Sequence, residues 1–452
     1  MRFHLVSLGC PKNRVDSERI LSIMVEAGFG FTDDPAEAQV IIINTCAFIE
    51  PAVNESIDCI LDYSVEHSQA RIVVAGCLPL RYRQGLEDPL PEVCLFVEPN
   101  KIGDLPRILR DRLKAESVKT AGQEKEGNSV SHTPIDRNRA EPRKPIQAAD
   151  RILTTPGYAY LRISEGCARR CRYCTIPSIR GPLRSVDETD LEQEAVALAS
   201  GGVRELVLVA QDLTAYAKDR REKDGLVKLL RRIGNVEGIE WIRLMYLHPD
   251  TVPLLLSKVI NECDNILPYL DIPFQHVSNK VLRAMGRPWK GDKIRSLVDR
   301  LRQEIPALVL RTTLMVGYPG EEDQDFTELR DFVDSYAIEH VGVFGYSAEP
   351  GTPAWDLGDP VPPEVKEARA GEILEIQTRF MEKRNQDRIG ISLPGLVEGV
   401  SEESDLLLQG RAWDQAPEVD GVLYITAGVA QPGEIRSVTI TGSHGPDLFG
   451  EI

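Results

Sequence analysis

Six short apolar runs, at residues 158–164, 205–210, 242–247, 269–274, 310–316 and 341–346, recur through the centre of the chain. Helical material follows each of the first five, as at 187–200, 226–233, 251–263, 294–304 and 326–336. Runs this short and continuous suit strands buried on both faces, and a strand that returns parallel to its predecessor needs a crossover of helix length. Sustained alternation without a second polar break therefore predicts one parallel, barrel-like α/β domain, with six units where a full barrel has eight. In such folds the groups that do chemistry lie on the loops at the carboxyl ends of the strands.

The flanks change character. Runs at 3–8, 40–43, 71–75 and 93–97 alternate with helical patterns at 16–27, 52–63 and 102–113, which predicts a second parallel α/β sheet. Between 114 and 156 the apolar periodicity disappears into a polar, breaker-rich stretch with the composition of a linker. A charged helix is expected near 364–388. Beyond it LLLQGRAW, GVLYITAG and IRSVTIT, separated by Gly, Pro and Asp turns, predict a small antiparallel β-barrel or sandwich. The expected layout is a domain at 1–113, a linker at 114–156, a barrel-like domain at 157–385 and a β domain at 386–452.

Hydrophobic residues at 42% and charged residues at 27% exclude a fibrous or mainly disordered chain. No apolar run approaches the ~18–20 residues that cross a bilayer, and MRFHLVSLGC lacks the long apolar core of a signal peptide, so a cytoplasmic protein with no membrane partner is expected. In a reducing compartment its nine cysteines read as metal ligands, nucleophiles or small buried hydrophobes rather than disulfides.

Cys167, Cys171 and Cys174 stand in SEGCARRCRYCTIP, a C-x3-C-x2-C spacing directly after the first strand of the barrel-like domain. Three thiolates so close in sequence, on one strand-end loop, can reach a single small cluster. Structural zinc asks for four ligands, and no fourth Cys or His lies near. A four-iron cluster on three thiolates instead leaves one iron open. S-adenosylmethionine can chelate that iron through its amino and carboxylate groups, so that an electron from the cluster breaks the adjacent sulfonium bond. A zinc knuckle remains the bland alternative.

Cys10, Cys46 and Cys77 have no local spacing motif, yet each directly follows a predicted strand, in LVSLGC, VIIINTC and RIVVAGC. In a parallel sheet the carboxyl ends of the strands share one edge, so these three can converge. The residues alone leave a metal site and three buried thiols equally open. Cys94 opens the run VCLFV and belongs at the opposite edge; Cys59 reads as a buried helix residue, and Cys263 ends an apolar helix.

The central motif, the six βα units and Tyr173 before the last cysteine resemble the radical S-adenosylmethionine superfamily. GVRELVLVAQD and RTTLMVGYPGE are similar to its later strand-end motifs, which implies cofactor contacts at Glu205, Gln211 and Gly317 in addition to Tyr173. SLGCPKNRVDSE, NTCAFIEPAVNESI and AGCLPLRY resemble the N-terminal domain of the methylthiotransferases, and RAWDQAPEVDGVLYI their small β-barrel, the TRAM domain. The likeness implies two [4Fe-4S] clusters. Cys167, Cys171 and Cys174 would hold the one that cleaves S-adenosylmethionine, and Cys10, Cys46 and Cys77 a second that delivers sulfur. It also implies an electron donor, which the sequence does not identify.

The family modifies either an adenosine of tRNA or an aspartate of ribosomal protein S-twelve. SLGCPKNRVDSE and EGCARRCRYCTIPSIRG are similar to the ribosomal-protein branch, which implies a methylthio group added to the β-carbon of that aspartate. Charge offers a separate argument. Residues 386–452 carry eleven acids against three arginines, a balance of −8 within a total of −17. A TRAM domain so charged would repel phosphate and attract a basic protein. A tRNA methylthiotransferase, or an iron–sulfur or zinc protein that binds without chemistry, stays as the alternative. The sequence departs from the family pattern at PLRSV, where Arg184 precedes Ser185 and Val186 stands where an arginine is usual.

Overall fold

A computed structural model describes residues 1–82, 85–121, 151–288 and 290–452, and the central part of the expected linker falls outside them. The chain divides into two compact units, Met1–Ile152 and Leu153–Ile452. The expected boundary at 113 is not a structural break, because the last helix of the first unit runs on to Ala121.

In the first unit β1 (Arg2–Ser7) leads into α1 (Pro11–Glu26) and the short β2 (Gly30–Phe31). Then come β3 (Val40–Thr45), α2 (Glu50–Glu66), β4 (Arg71–Gly76), α3 (Cys77–Tyr82), β5 (Val93–Val97) and α4 (Leu105–Ala121). Every pairing is parallel, in the order β2-β1-β3-β4-β5. The run VIIINT of β3 is buried at every position because helices cover both of its faces. The chain leaves β1 in one direction along the sheet and β3 in the other. The crevice at such a switch point, outside the carboxyl ends, is where doubly wound sheets bind ligands.

The second unit opens with β6 (Tyr158–Arg162), the two-residue strands β7 (Ser164–Glu165) and β8 (Arg184–Ser185), and between these the single turn α5 (Ile176–Ile179). Next are α6 (Glu188–Ser200), β9 (Glu205–Val209), α7 (Gly225–Ile233), β10 (Trp241–Leu244), α8 (Leu256–Glu262) and β11 (Ile266–Asp271). Then follow α9 (Asn279–Ala284), α10 (Gly291–Glu304), β12 (Val309–Val316), α11 (Asp323–Tyr336), β13 (His340–Gly345) and the long α12 (Pro363–Gln386). Six parallel strands lie in sequential order, β6-β9-β10-β11-β12-β13, as the alternation predicts. Leu206, Leu208, Ile242, Leu244, Leu270, Leu310 and Leu314 form the core beneath the helices.

The chain ends in a closed barrel of β14 (Ser392–Ser401), β15 (Ser404–Ala412), β16 (Leu423–Ala427), β17 (Ile435–His444) and β18 (Asp447–Glu451). It is a barrel rather than a sandwich, and it is not wholly antiparallel, since the β16–β18 pair that completes it is parallel. The end of β15 and the loop that joins it to β16 meet residues from all six strands of the parallel sheet. Glu418 accepts a hydrogen bond from Tyr158 of β6 at 3.4 Å, and Arg411 donates to Glu205 of β9 at 2.6 Å. The Trp413 carbonyl accepts from Arg243 of β10 at 2.9 Å, and Asp420 from the Tyr269 hydroxyl of β11 at 2.6 Å. Asp420 also pairs with Arg311 of β12 at 3.4 Å and His340 of β13 at 3.2 Å. A ten-residue segment, Arg411 to Asp420, can reach all six strands only if they encircle it, so the sheet is rolled into a partial (β/α)6 barrel.

Candidate functional site

The cysteine loop leaves the carboxyl end of the first barrel strand and is pinned at several points by backbone hydrogen bonds. The Cys167 N–H donates to the Gly181 carbonyl at 3.1 Å and the Arg172 N–H to Met285 at 2.9 Å, while the Arg172 carbonyl accepts from Ala354 at 2.8 Å. Gly166 has φ of +74°, and a Cβ there would stand 2.2 Å from the Pro182 carbonyl oxygen, so glycine is required for the strand to turn into the loop. Burial, then the neighbouring cysteines, pushes Cys174 up to about 12, and burial raises Cys167. Backbone N–H groups oppose this, that of Arg169 lying 3.4 Å from the Cys167 sulfur. Half-buried thiols with N–H donors aimed at sulfur are a donor set that an iron–sulfur cluster fits, because the metal charge supplies what the site lacks.

Polar groups from the next strand ends surround the loop. Arg169 pairs with the buried Asp212, just after β9, at 2.8 Å, with Asp250 at 3.5 Å, and donates to Thr251. His248 is held neutral, since burial and then the nearby Arg287 push it down to about 2. Arg287, fully enclosed, donates to the carbonyls of Pro273 and Phe274 at 2.8 Å and stands as a fixed cation beside Tyr173 and Cys171. The sequence reading missed Arg169, Asp212 and Arg287. Arg169 lies inside the cysteine motif and Asp212 beside a residue already singled out, so their position could have drawn attention to them.

Of the contacts expected for S-adenosylmethionine, Tyr173 packs edge-on against Tyr318, with ring centroids 6.5 Å apart, and Tyr318 against Tyr346 at 5.1 Å. Gln211 sits at the carboxyl end of β9, and its buried Oε1 has no hydrogen-bond partner among the described residues. Gly317 directly follows β12, with its N–H donating to Glu321 at 2.8 Å. Glu205 is placed elsewhere. It begins its strand instead of ending it, and its two carboxylate oxygens are taken by Arg243 and Arg411, each at 2.6 Å. Burial disfavours its charge, but the two guanidiniums outweigh burial and hold its pKa down. The structure thus gives Glu205 a role in seating the C-terminal barrel, at the opposite end from the cysteine loop. At the sequence departure Arg184 is exposed, whereas Ser185 donates to Asp219 at 2.6 Å and Val186 packs on the core.

In the first unit Cys10 caps the start of α1, Cys46 follows β3 and Cys77 opens α3 after β4, all at the carboxyl edge. Cys10 and Cys46 flank the switch point. Cys94 lies near the start of β5, at the other edge. Cys59 is half-buried in α2 rather than fully buried, its thiol pushed up to about 11 by burial and then by Asp62 and Glu55; Cys263 caps α8. Among the described residues no three Cys, His, Asp or Glu are grouped closely enough to hold a metal ion, so backbone placement defines each triad.

A parallel barrel of six strands with three cysteines on its first strand-end loop is the arrangement of radical S-adenosylmethionine enzymes, and the Radical SAM superfamily model matches residues 161–333. The uncharacterized protein family UPF0004 matches residues 2–98 and the TRAM domain residues 389–452. Proteins named ribosomal protein uS12 methylthiotransferase RimO resemble nearly the whole chain. That of Pelobacter propionicus is 43% identical, covering 99% of this chain and 97% of its own, and that of Acetivibrio thermocellus 41%, over the same shares. The chain belongs to this methylthiotransferase family. In fold alone, it is similar to the radical S-adenosylmethionine methyltransferase TsrM from Kitasatospora setae, with a TM-score of 0.54 at 15% identity over 87% of this chain and 78% of that one.

Proposed function

We propose that the protein transfers a methylthio group to the β-carbon of an aspartate in ribosomal protein S-twelve, in the cytoplasm, using S-adenosylmethionine and two [4Fe-4S] clusters. The observation that carries this reading is that the chain sets three cysteines at the carboxyl end of each of two parallel sheets, one triad per unit. Cys167, Cys171 and Cys174 would hold the cluster that reduces S-adenosylmethionine, and Cys10, Cys46 and Cys77 the one that delivers sulfur. Bound there, the first cluster supplies one electron and an open iron site. The protein's own part is positional. Tyr173 and the Tyr318–Tyr346 stack would wall the cofactor, and Gln211 would offer its unpaired Oε1 to a donor on it. Arg287 would keep a positive charge beside the thiolates, which favours the reduced cluster.

The acidic C-terminal barrel supports a basic protein as partner. Its acids do not all face outward, since Asp414 is buried against Arg388 and Asp420 against His340 and Arg311. Glu402, Glu403 and Asp405 remain exposed on the β14–β15 hairpin, between Val400 and Leu406, which are 55% and 90% exposed. That tip combines negative charge with apolar surface, as a basic protein segment would require.

The test is anaerobic reconstitution followed by incubation with S-adenosylmethionine and a reductant, beside either a peptide of the S-twelve loop or an anticodon stem-loop. About eight irons are expected, with a mass gain on the peptide. About four irons would refute the second cluster, and a gain on the RNA alone would refute the substrate.

A further inference from the structure

The Asn13 side chain touches all three of the strand-end turns that carry Cys10, Cys46 and Cys77. It is fully buried in the first turn of α1, three residues beyond Cys10. Its Nδ2 donates to the Leu8 carbonyl at 3.0 Å and to the Thr45 carbonyl at 2.9 Å, the residues two before Cys10 and one before Cys46. Its Oδ1 lies 3.8 Å from the Cys77 sulfur and accepts from the thiol. Neighbouring groups hold the asparagine in turn. Asn44, also buried, donates to the Asn13 carbonyl at 2.8 Å and to Ser17 at 2.8 Å, which ties α1 to β3.

Gly9 adds an independent sign that this region is built to bring the turns together. Its φ is +89°, and a Cβ there would stand 2.6 Å from Cys46 Cβ, 3.0 Å from Cys46 Sγ and 3.1 Å from Asn13 Nδ2. Any other residue would push the Cys10 turn away from both. On the far side, Ser56 brackets Cys46 by donating to its carbonyl at 2.8 Å and accepting from its N–H at 3.2 Å.

We infer that Asn13 is the positioning residue of the N-terminal triad, its single amide fixing the mutual placement of the three cysteine-bearing turns so that their sulfurs can share one cluster. This rests on the reading that Cys10, Cys46 and Cys77 hold a cluster. A ligand set scattered over three loops has no local sequence geometry to order it. A buried group that bonds two of the turns and meets the third sulfur provides that order before metal arrives.

The test compares the full-length wild type, Asn13→Leu, Asn13→Ala, the triple variant C10A/C46A/C77A and Met24→Ala. Met24 is fully buried in the core of the first unit, away from the triad, so its truncation lowers stability without touching the turns. Each protein is reconstituted anaerobically, its iron counted, its reduced clusters recorded by electron paramagnetic resonance and its melting temperature measured. The inference expects both Asn13 variants to fall to about half the wild-type iron, matching the triple variant. Both should lose the signal of the N-terminal cluster and keep that of the Cys167 cluster, while Met24→Ala melts lower yet keeps full iron. Asn13 variants with wild-type iron and spectrum would overturn it. So would iron loss that merely follows melting temperature, with Met24→Ala losing as much. If the wild type holds no more iron than the triple variant, the second-cluster reading itself fails, a result separate from any effect of Asn13.

Discussion

The two cysteine triads offer the same number of sulfurs and are assembled in opposite ways. Cys167, Cys171 and Cys174 share one loop whose turns are closed by backbone bonds within the segment and to its immediate supports. Their proximity is largely a property of local chain. Cys10, Cys46 and Cys77 come to one sheet edge only because β1, β3 and β4 lie side by side in register, Phe3 to Ser7 against Val40 to Asn44 and Val40 to Thr45 against Arg71 to Gly76. Their proximity is a property of a folded sheet. The entropy of closing long loops is met there by folding, whereas the central loop is short enough to need little help. A local ligand set can therefore be recognised as a motif, and a dispersed one only as a topology.

The sharpest way to break this comparison is to remove ligands singly. Alanine at Cys167, Cys171 or Cys174 should abolish reductive cleavage of S-adenosylmethionine, followed as 5′-deoxyadenosine release. Alanine at Cys10, Cys46 or Cys77 should leave that release intact and abolish methylthio product. Cys94→Ala should preserve both, and loss of a cluster there would show that the strand-edge argument chose the wrong residues. A second test separates segment from sheet. A synthetic peptide of residues 163–186 should assemble a four-iron cluster with its charge-transfer absorption, while peptides carrying Cys10, Cys46 or Cys77 alone should not.

A third test concerns the two ends of the barrel. Glu205→Gln removes the charge that two buried arginines share, which should cost about 3–5 kcal/mol of stability in urea unfolding while leaving affinity for S-adenosylmethionine unchanged. Gln211→Ala should do the reverse, weakening binding about tenfold by calorimetry, the effect of ~1.4 kcal/mol, with little change in unfolding.

The smallest expected effect is on pH. Burial pushes His276, fully enclosed near Asp325 and Arg369 and 3.7 Å from Glu321, down to about 3. Unfolded, it would titrate near ~6.5, so between those values the unfolded chain binds the extra proton. Stability from this group is thus full above that upper value and is lost as pH falls towards 3. His276→Asn, which can still accept from the Ser278 N–H that His276 now receives at 2.9 Å, should flatten the acid side of the stability profile.

Much of this was legible in sequence because it depends on period and order. The near-continuous apolar β3 announced a sheet covered on both faces, and the position of each cysteine after its run placed it at the carboxyl edge. Glu205 was misread because motif likeness carries no sense of strand polarity. Its place at the start of β9 put it at the amino end, where its partners Arg243 and Arg411 come from distant parts of the chain. The parallel pair that closes the C-terminal barrel was equally hidden, since alternating strands between turns look alike whichever way they pair. Asn13 escaped because a polar residue in the first helical turn is ordinary, and only the fold shows three turns converging on it.

The segment from Arg411 to Asp420, seated among the six parallel strands, has a consequence for how such a protein can diversify. Taking the C-terminal barrel away would leave Glu205 with one buried guanidinium where it now has two and would remove Asp420 from Arg311, so exchanging either barrel alone carries an electrostatic cost. Inheritance must keep the loop and its receptor together. Variation is then channelled to the β14–β15 hairpin, which those constraints do not reach, so its surface can change without rebuilding the machine beneath.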